Sequence, residues 1–317
     1  MQTRPLGRTD MQITPIGLGA REIGGGRGEF AWNPQDDQTS IATIKRALNL
    51  GINWIDTAAI YGLGHSEEIV GKAIKGGERP YIFTKCSILW DAKGRTYHSL
   101  RADSIQREVE ASLKRLGIET IDLYQLHEPD PDSEIEEGWS KLVELKRQGK
   151  VRHIGVSNFN VEQLRRAEKI APVETLQPPY SLIDSHVEKE ILPYSHEHNI
   201  GVIVYHSMAA GLLTEHMTKE HIEHMPSDDW RKKDPEFNEP RLSRNLELAN
   251  LLTEIGYPHN VPAGVVATAW TLKNPAVTAA IVESLSPAQI EEMVMACEFR
   301  LSDSETRQIE QFLAKYP

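Results

Sequence analysis

The chain reads as a (β/α)8 barrel, and three observations carry that reading. Short apolar runs alternate with amphipathic helical stretches, and eight such βα units can be traced. The apolar runs hold few alternating polar positions, as parallel strands buried on both faces should. The length of 317 residues suits a barrel of about 250 residues with insertions, and eight units favour closure over an open doubly wound sheet.

The elements follow in order. Arg4 to Ile16 reads as a β-hairpin turning near Gly7–Asp10, placed to cap the barrel floor. The first barrel strand is ITPIGLG (13–19), followed after a polar loop by a helix from about Gln38 to Asn49. INWIDTA (52–58) is a strand and Ser66–Ile74 a helix. YIFTKC (81–86) is a strand and Ala102–Leu116 a helix. IDLYQLH (121–127) is a strand and Glu134–Gln148 a helix. VRHIGVS (151–157) is a strand and Val161–Ala167 a helix. VETLQPP (173–179) holds a short strand, before a helix at His186–His196. GVIVYHS (201–207) is the seventh strand, with Leu246–Glu254 in the helix after it. VTAAIVE (277–283) is the eighth, with a helix at Pro287–Ala296. A further helix spans about Ser304–Ala314. The polar segment from Thr214 to Arg244 is too long for an ordinary βα connection. No linker divides the chain, so residues 1–317 are expected to form a single domain.

Composition narrows the function. The hydrophobic fraction is 39% and the charged fraction 26%, as in an ordinary globular protein. The net charge of −11, with no basic run, argues against nucleic acid or an anionic membrane surface as a partner. No apolar stretch approaches the roughly 20 residues that cross a bilayer. The opening MQTRPLGRTD lacks an apolar signal core. With only Cys86 and Cys297, a disulfide framework is not expected. A cytoplasmic protein, monomer or homo-oligomer, is the expectation.

In a parallel barrel the chemistry sits at the C-terminal ends of the strands. Strand two ends in Asp56, with Tyr61 five residues on. Strand three ends in Lys85, strand four in His127, strand five in Ser157 and Asn158. Strand six ends near Gln177, and strand seven in Tyr205 and His206. Taken singly, each has a plainer explanation: a capping Asp, a solvated Lys, a core His, a packing Tyr. Together they make an acid–base group. A tyrosine with an unperturbed pKa near ~10 is a poor proton shuttle at neutral pH. A neighbouring ammonium is expected to lower it. Asp56 would hold that ammonium charged and placed. Carbonyl reduction needs a hydride on carbon and a proton on oxygen. Tyr61 could give the proton while Lys85 and His127 polarise the oxygen.

These residues lie in blocks that resemble the aldo-keto reductase family, more its bacterial and plant members than the aldose-reductase branch. The blocks are LGRTDMQITPIGLGA, INWIDTAAIYGLGHSEEIVGKAI, YIFTKC, SLKRLGIETIDLYQLHEPD, GKVRHIGVSNF, LQPPYSLI and GLLT, and they run over nearly the whole chain. Some such members act on inositols or sugars. The resemblance implies Asp56, Tyr61, Lys85 and His127 as a catalytic tetrad, with Tyr61 as general acid or base. It implies an NAD(H) or NADP(H) cofactor and a small carbonyl or alcohol substrate. Ser157, Asn158 and Gln177 match residues that hold the nicotinamide carboxamide, and Tyr205 the ring that stacks on it. The rest of the implied cofactor groove is Gly19, Ala20, His206, Ser207, Met208, Gly211, Leu212, Val282, Ser284, Ser286 and Met293, together with the residues that follow.

The block after strand eight, AIVESLSPAQIEEM, departs from relatives that read roughly I-P-G-A-R-S. Glu283 stands at the Gly/Lys place and Leu285 at the Arg place, with Gln289 and Glu292 downstream. A carboxylate suits a ribose diol better than a 2′-phosphate, so the expected cofactor leans to NAD(H). The alternative is that Arg231 or Arg244 meets the phosphate. His206 either touches the cofactor or pocket, or caps its strand. Trp32, Trp90 and Trp230 fall in loops on the active-site side, as candidate pocket walls. His216, His221 and His224 lack the HExxH pattern, and no metal is expected. IGGGRG (23–28) is not a dinucleotide fingerprint and reads as a loop above the site. Two other readings compete: a nucleotide-binding regulatory relative resembling potassium-channel β subunits, and a barrel hydrolase pairing Asp56 with Glu128.

Overall fold

A computed structural model describes residues 1–25, 35–227 and 229–316. Arg4–Pro5 (β1) and Gln12–Ile13 (β2) pair as an antiparallel hairpin. Eight parallel strands then close into a barrel: Ile16–Gly19 (β3), Trp54–Asp56 (β4), Tyr81–Cys86 (β5), and, after a small hairpin of Ile88–Trp90 (β6) and Thr96–His98 (β7), Ile121–Leu126 (β8), Val151–Ser157 (β9), Thr175–Gln177 (β10), Gly201–Val204 (β11) and Val277–Glu283 (β12), which returns to β3. The helices are Asp37–Asn49 (α1), His65–Ile74 (α2), Ala102–Leu116 (α3), Ile135–Arg147 (α4), Val161–Glu168 (α5), Ile191–Glu197 (α6), Lys219–His224 (α7), Arg241–Gly256 (α8), Ala263–Lys273 (α9), Pro287–Met293 (α10) and Asp303–Leu313 (α11).

The N-terminal hairpin plugs the floor. Its Leu6, Met11 and Ile13 join Trp54, Phe83, Leu123, Ile203 and Ala279 in one buried cluster inside the barrel. The Trp54 indole lies across β3 and donates to the Thr14 carbonyl at 3.0 Å. That position demands a glycine opposite it, because a Cβ on Gly17 would stand 2.1 Å from the indole. A second, larger cluster fills the layer between strands and helices.

Four elements differ from the sequence reading. Helix α9 went unrecognised because it is apolar on nearly every face; nine of its residues, including Val265, Val266, Ala267 and Leu272, are buried. A helix buried all round carries no amphipathic period. The β6–β7 hairpin was read as loop. The helix expected from His186 begins at Ile191, after a single 3-10 turn at His186–Glu188. Pro193 accounts for this, since its ring is tolerated only in a first turn. Helix α10 stops at Met293 and continues as a 3-10 turn. The long segment after β11 is folded rather than open. Its Met217, Ile222, Met225 and Phe237 pack with Leu248 and Leu252 of α8 and Val266 of α9.

Candidate active site

Strand register gathers the polar residues at the barrel mouth. Glu283 pairs with Gly19, and Gly19 pairs with Asp56. On the other side Ser157 pairs with Gln177. Residues one apart on a strand face opposite ways, so Lys85 enters the barrel while its neighbours Thr84 and Cys86 leave it. Thr84 instead reaches Glu67 of α2 at 2.6 Å. Tyr61 comes from the turn after β4. That turn packs so closely on Gly24 that a Cβ on Gly62 would sit 2.1 Å from the Gly24 carbonyl oxygen, and Gly62 takes φ +60°.

The expected four residues do come together. Lys85 Nζ donates to Asp56 Oδ1 at 2.5 Å and to the Thr57 carbonyl at 3.1 Å. Gln177 Nε2 donates to Asp56 Oδ2 at 2.9 Å. Lys85 Nζ lies 5.4 Å from the Tyr61 ring centroid. The Tyr61 and His127 rings meet edge to face, with centroids 5.7 Å apart. All four side chains are buried.

Burial governs their protonation. It pushes the Asp56 carboxyl above the ordinary range and the Lys85 ammonium below its own, and each partner's charge pulls the other back. His127 is held well below the usual imidazole value by burial, then by Lys85 and Arg21. It is therefore a neutral ring. Tyr61 corrects the sequence expectation: its phenol is raised, not lowered. Burial is the main cause, and Asp56, Glu283 and Glu128 add to it against Arg21. Asp56, which raises the phenol, sits against the Lys85 ammonium at 2.5 Å.

Two cavities meet here. The smaller, about 130 Å³, is lined by Gly19, Ala20, Asp56, Tyr61, His127, Ser157, Asn158 and Gln177, with Arg21 and Glu128. The larger, about 350 Å³, is lined by His206, Ser207, Met208, Gly211, Leu285, Gln289, Glu292 and Met293, with Glu22, His216, His221 and Arg231. Tyr205, Ile281 and Glu283 line both. Ser157 Oγ donates to the Gln177 carbonyl at 2.9 Å. Asn158 Nδ2 donates to Glu128 Oε1 at 2.6 Å, and Asn158 Oδ1 accepts from the Tyr205 hydroxyl at 3.0 Å.

Other candidates fall elsewhere. Leu212 and Val282 are fully buried in core clusters and line neither cavity. Val282 faces the helices because Ile281 and Glu283 face the barrel. Ser286 caps α10, and Ser284 Oγ is buried with no hydrogen-bond partner among the described residues. Trp90, in β6, packs at the edge of the Tyr61 cluster. Trp230 stacks with the Arg21 guanidinium at 5.8 Å. Trp32 and the second half of IGGGRG, residues 26–28, lie outside the described residues. Glu283 stands at the junction of the cavities. Among the described residues no group of three or more His, Cys, Asp or Glu is placed to hold a metal ion.

The sequence reading missed Arg21 and Glu22, although the strand-end rule points at them: they follow β3 directly. Glu22 is buried in the larger cavity, where desolvation and the nearby Glu283 push its carboxyl up to about 8, against Arg21 and Arg231. The folded segment after β11 contributes Thr214, Glu215, His216 and His221, and α9 contributes Gly264. No periodicity announced those.

Comparison with known proteins agrees with this geometry. The model of the aldo/keto reductase family matches residues 15–314. Aldo-keto reductase YhdN of Bacillus subtilis is 38% identical, covering 99% of this chain and 94% of that protein. The NADH-specific methylglyoxal reductase of Escherichia coli is 34% identical, covering 96% of each. The structure of the glycerol dehydrogenase AKR11B4 from Gluconobacter oxydans superposes with a TM-score of 0.91 at 34% identity, covering 99% of this chain and 96% of that one. With the family model spanning nearly the whole chain and these relatives sharing its barrel, the chain belongs to the aldo/keto reductase family and is an oxidoreductase.

Proposed function

We propose that the chain interconverts a small carbonyl compound and its alcohol with Tyr61 as the proton donor. The observation that carries this is the buried Asp56–Lys85–Tyr61–His127 cluster opening onto one small cavity. A nicotinamide cofactor, when bound, supplies the hydride. The residues present fit one: the adjoining 350 Å³ cavity is within the size range of small-molecule sites, Ser157, Asn158 and Gln177 offer amide-complementary groups, and Ser284 Oγ lacks a partner.

The residues divide the remaining work. Tyr61 holds its proton in the resting site and gives it to the substrate oxygen as the hydride reaches carbon. Neutral His127 donates a hydrogen bond to the substrate oxygen as charge builds there. Once Tyr61 has given its proton, the Lys85 ammonium at 5.4 Å from the ring stabilises the phenolate. Asp56, with Gln177 and the Thr57 carbonyl, keeps that ammonium fixed. Tyr61→Phe should lower kcat by about 10²–10⁴-fold while nucleotide binding, read by fluorescence titration, changes little. Turnover within threefold of the parent would refute the role.

We further propose that NADH is preferred to NADPH. Among the described residues, the larger cavity is lined by four carboxylates, Glu22, Glu215, Glu283 and Glu292, and by one guanidinium, Arg231. That guanidinium is already bound to Asp229 at 3.0 and 2.6 Å. Arg244, the other candidate, is tied to Glu236 and Asn245 at 3.1 and 2.7 Å and does not line the cavity. An extra phosphate adds about two negative charges to a wall already acidic. A ratio of kcat/KM at least about tenfold in favour of NADH is expected; a preference for NADPH would overturn it.

A further inference from the structure

We propose that Glu128 is a specificity residue that selects uncharged, hydroxyl-bearing carbonyl substrates and excludes carboxylate-bearing ones. This rests on the carbonyl reductase reading above and names the substrate class for that site.

The geometry is local. Glu128 directly follows His127 and lines the same small cavity as Tyr61. Its Oε1 is held by Asn158 Nδ2 at 2.6 Å, and its backbone N–H donates to Ser87 Oγ at 3.3 Å. The side chain is therefore anchored. No hydrogen bond occupies Oε2 among the described residues, so one lone-pair-bearing oxygen stays available to the cavity. An ionised carboxylate only accepts hydrogen bonds. It suits a substrate hydroxyl and repels a substrate carboxylate, a penalty that grows in a small, poorly solvated space.

The rest of the cavity does not reverse this sign. The Lys85 ammonium is matched by Asp56 at 2.5 Å. Arg21 lines the wall together with Glu283, whose carboxyl its charge pulls down against burial. That leaves Glu128 as a carboxylate whose contact is an amide, not a cation. The groups facing it are His127 and Asp130 on its own loop, Tyr61, Tyr205, Arg21 and Glu283. Burial and Asp130 push its carboxyl up to about 7, and the Asn158 bond opposes them. The discrimination should therefore be full above that pH and fade as pH falls through it.

The test is kcat/KM for butanal, glyceraldehyde and succinate semialdehyde with the parent and Glu128→Gln, assayed at least one pH unit above 7. The amide keeps an acceptor for Asn158 and removes only the charge. Relative to butanal, Glu128→Gln should lose glyceraldehyde activity a few-fold and gain about tenfold with succinate semialdehyde. Lowering the pH of the parent enzyme below 6 should move the same ratio in the same direction. A uniform change across all three substrates would mean that Glu128 only positions Asn158, and would overturn the proposal. So would a parent enzyme that prefers the semialdehyde. Failure of the parent to reduce any carbonyl would instead refute the reductase reading itself.

Discussion

The two cavities bury charge in opposite ways. In the small one, Asp56 and Lys85 stand at 2.5 Å with Gln177 and the Thr57 carbonyl completing the set. Opposite charges satisfy each other there, and the hydrogen bonds offset much of the desolvation. In the large one, Glu22 and Glu283 are like charges in one buried wall. They cannot both ionise without repulsion, so Glu22 is held protonated to about pH 8. A paired buried charge gives a rigid site over a wide pH range, whereas an acid pair gives a site that changes with pH.

The largest expected effect comes from breaking the pair. Lys85→Met strands the Asp56 carboxylate in the barrel. Stability in urea should fall by about 3–5 kcal/mol, and kcat by roughly 100-fold or more, since the Tyr61 phenolate loses its cation. The double change Lys85→Met with Asp56→Asn should restore part of the stability and none of the activity. An unchanged urea midpoint for Lys85→Met would show that the pair is not the buried unit described here.

The acid pair should show a smaller, pH-dependent effect. The Glu22 carboxyl is raised from 4.5 to about 8 in the folded chain. Its contribution to stability is therefore full below the unfolded value and lost as pH rises through 8. The Tm of the cofactor-free protein should decline between about pH 4.5 and 8 and level off above that. Glu22→Gln should flatten that decline. Cofactor affinity should weaken as pH rises through about 8, because ionised Glu22 adds charge to a wall that must take a dianionic pyrophosphate. A Kd independent of pH in both proteins would break the contrast between the cavities.

An exposed pair sets the baseline. Asp10, on the floor hairpin, meets His153 Nε2 at 2.7 Å and Arg152 at 3.1 Å. Its carboxyl is lowered chiefly by the His153 bond, but its side chain is largely in water. Asp10→Ala should cost less than about 1 kcal/mol. A larger loss would show that the floor hairpin depends on charge as well as on Leu6, Met11 and Ile13.

Much of this was legible along the chain, and particular residues show why. YIFTKC and VRHIGVS were readable as buried strands with their bounds, because a run apolar on both faces looks the same wherever it lies. Asp56, Lys85 and His127 were readable as mouth residues because a polar group closing such a run must sit at a strand end. Tyr61 joined them by its distance from Asp56. Helix α9 was not readable, since burial on every side erases the period that marks a helix. Arg21 and Glu22 were passed over beside a glycine-rich stretch that reads as loop. His216 and His221 looked like a metal motif that failed, yet they line the larger cavity.

Local composition therefore set the strands, the turns and the chemical types available at the mouth, because these depend on neighbours a few residues away. It did not set the protonation states. Tyr61 was expected to be lowered by Lys85, and burial raised it instead. Glu283 lies far from Asp56 in sequence, and register through Gly19 puts both at the barrel mouth. Both outcomes depend on groups remote in sequence. Desolvation is a property of everything packed around an atom, and Coulomb energy depends on distances that exist only once the barrel has closed.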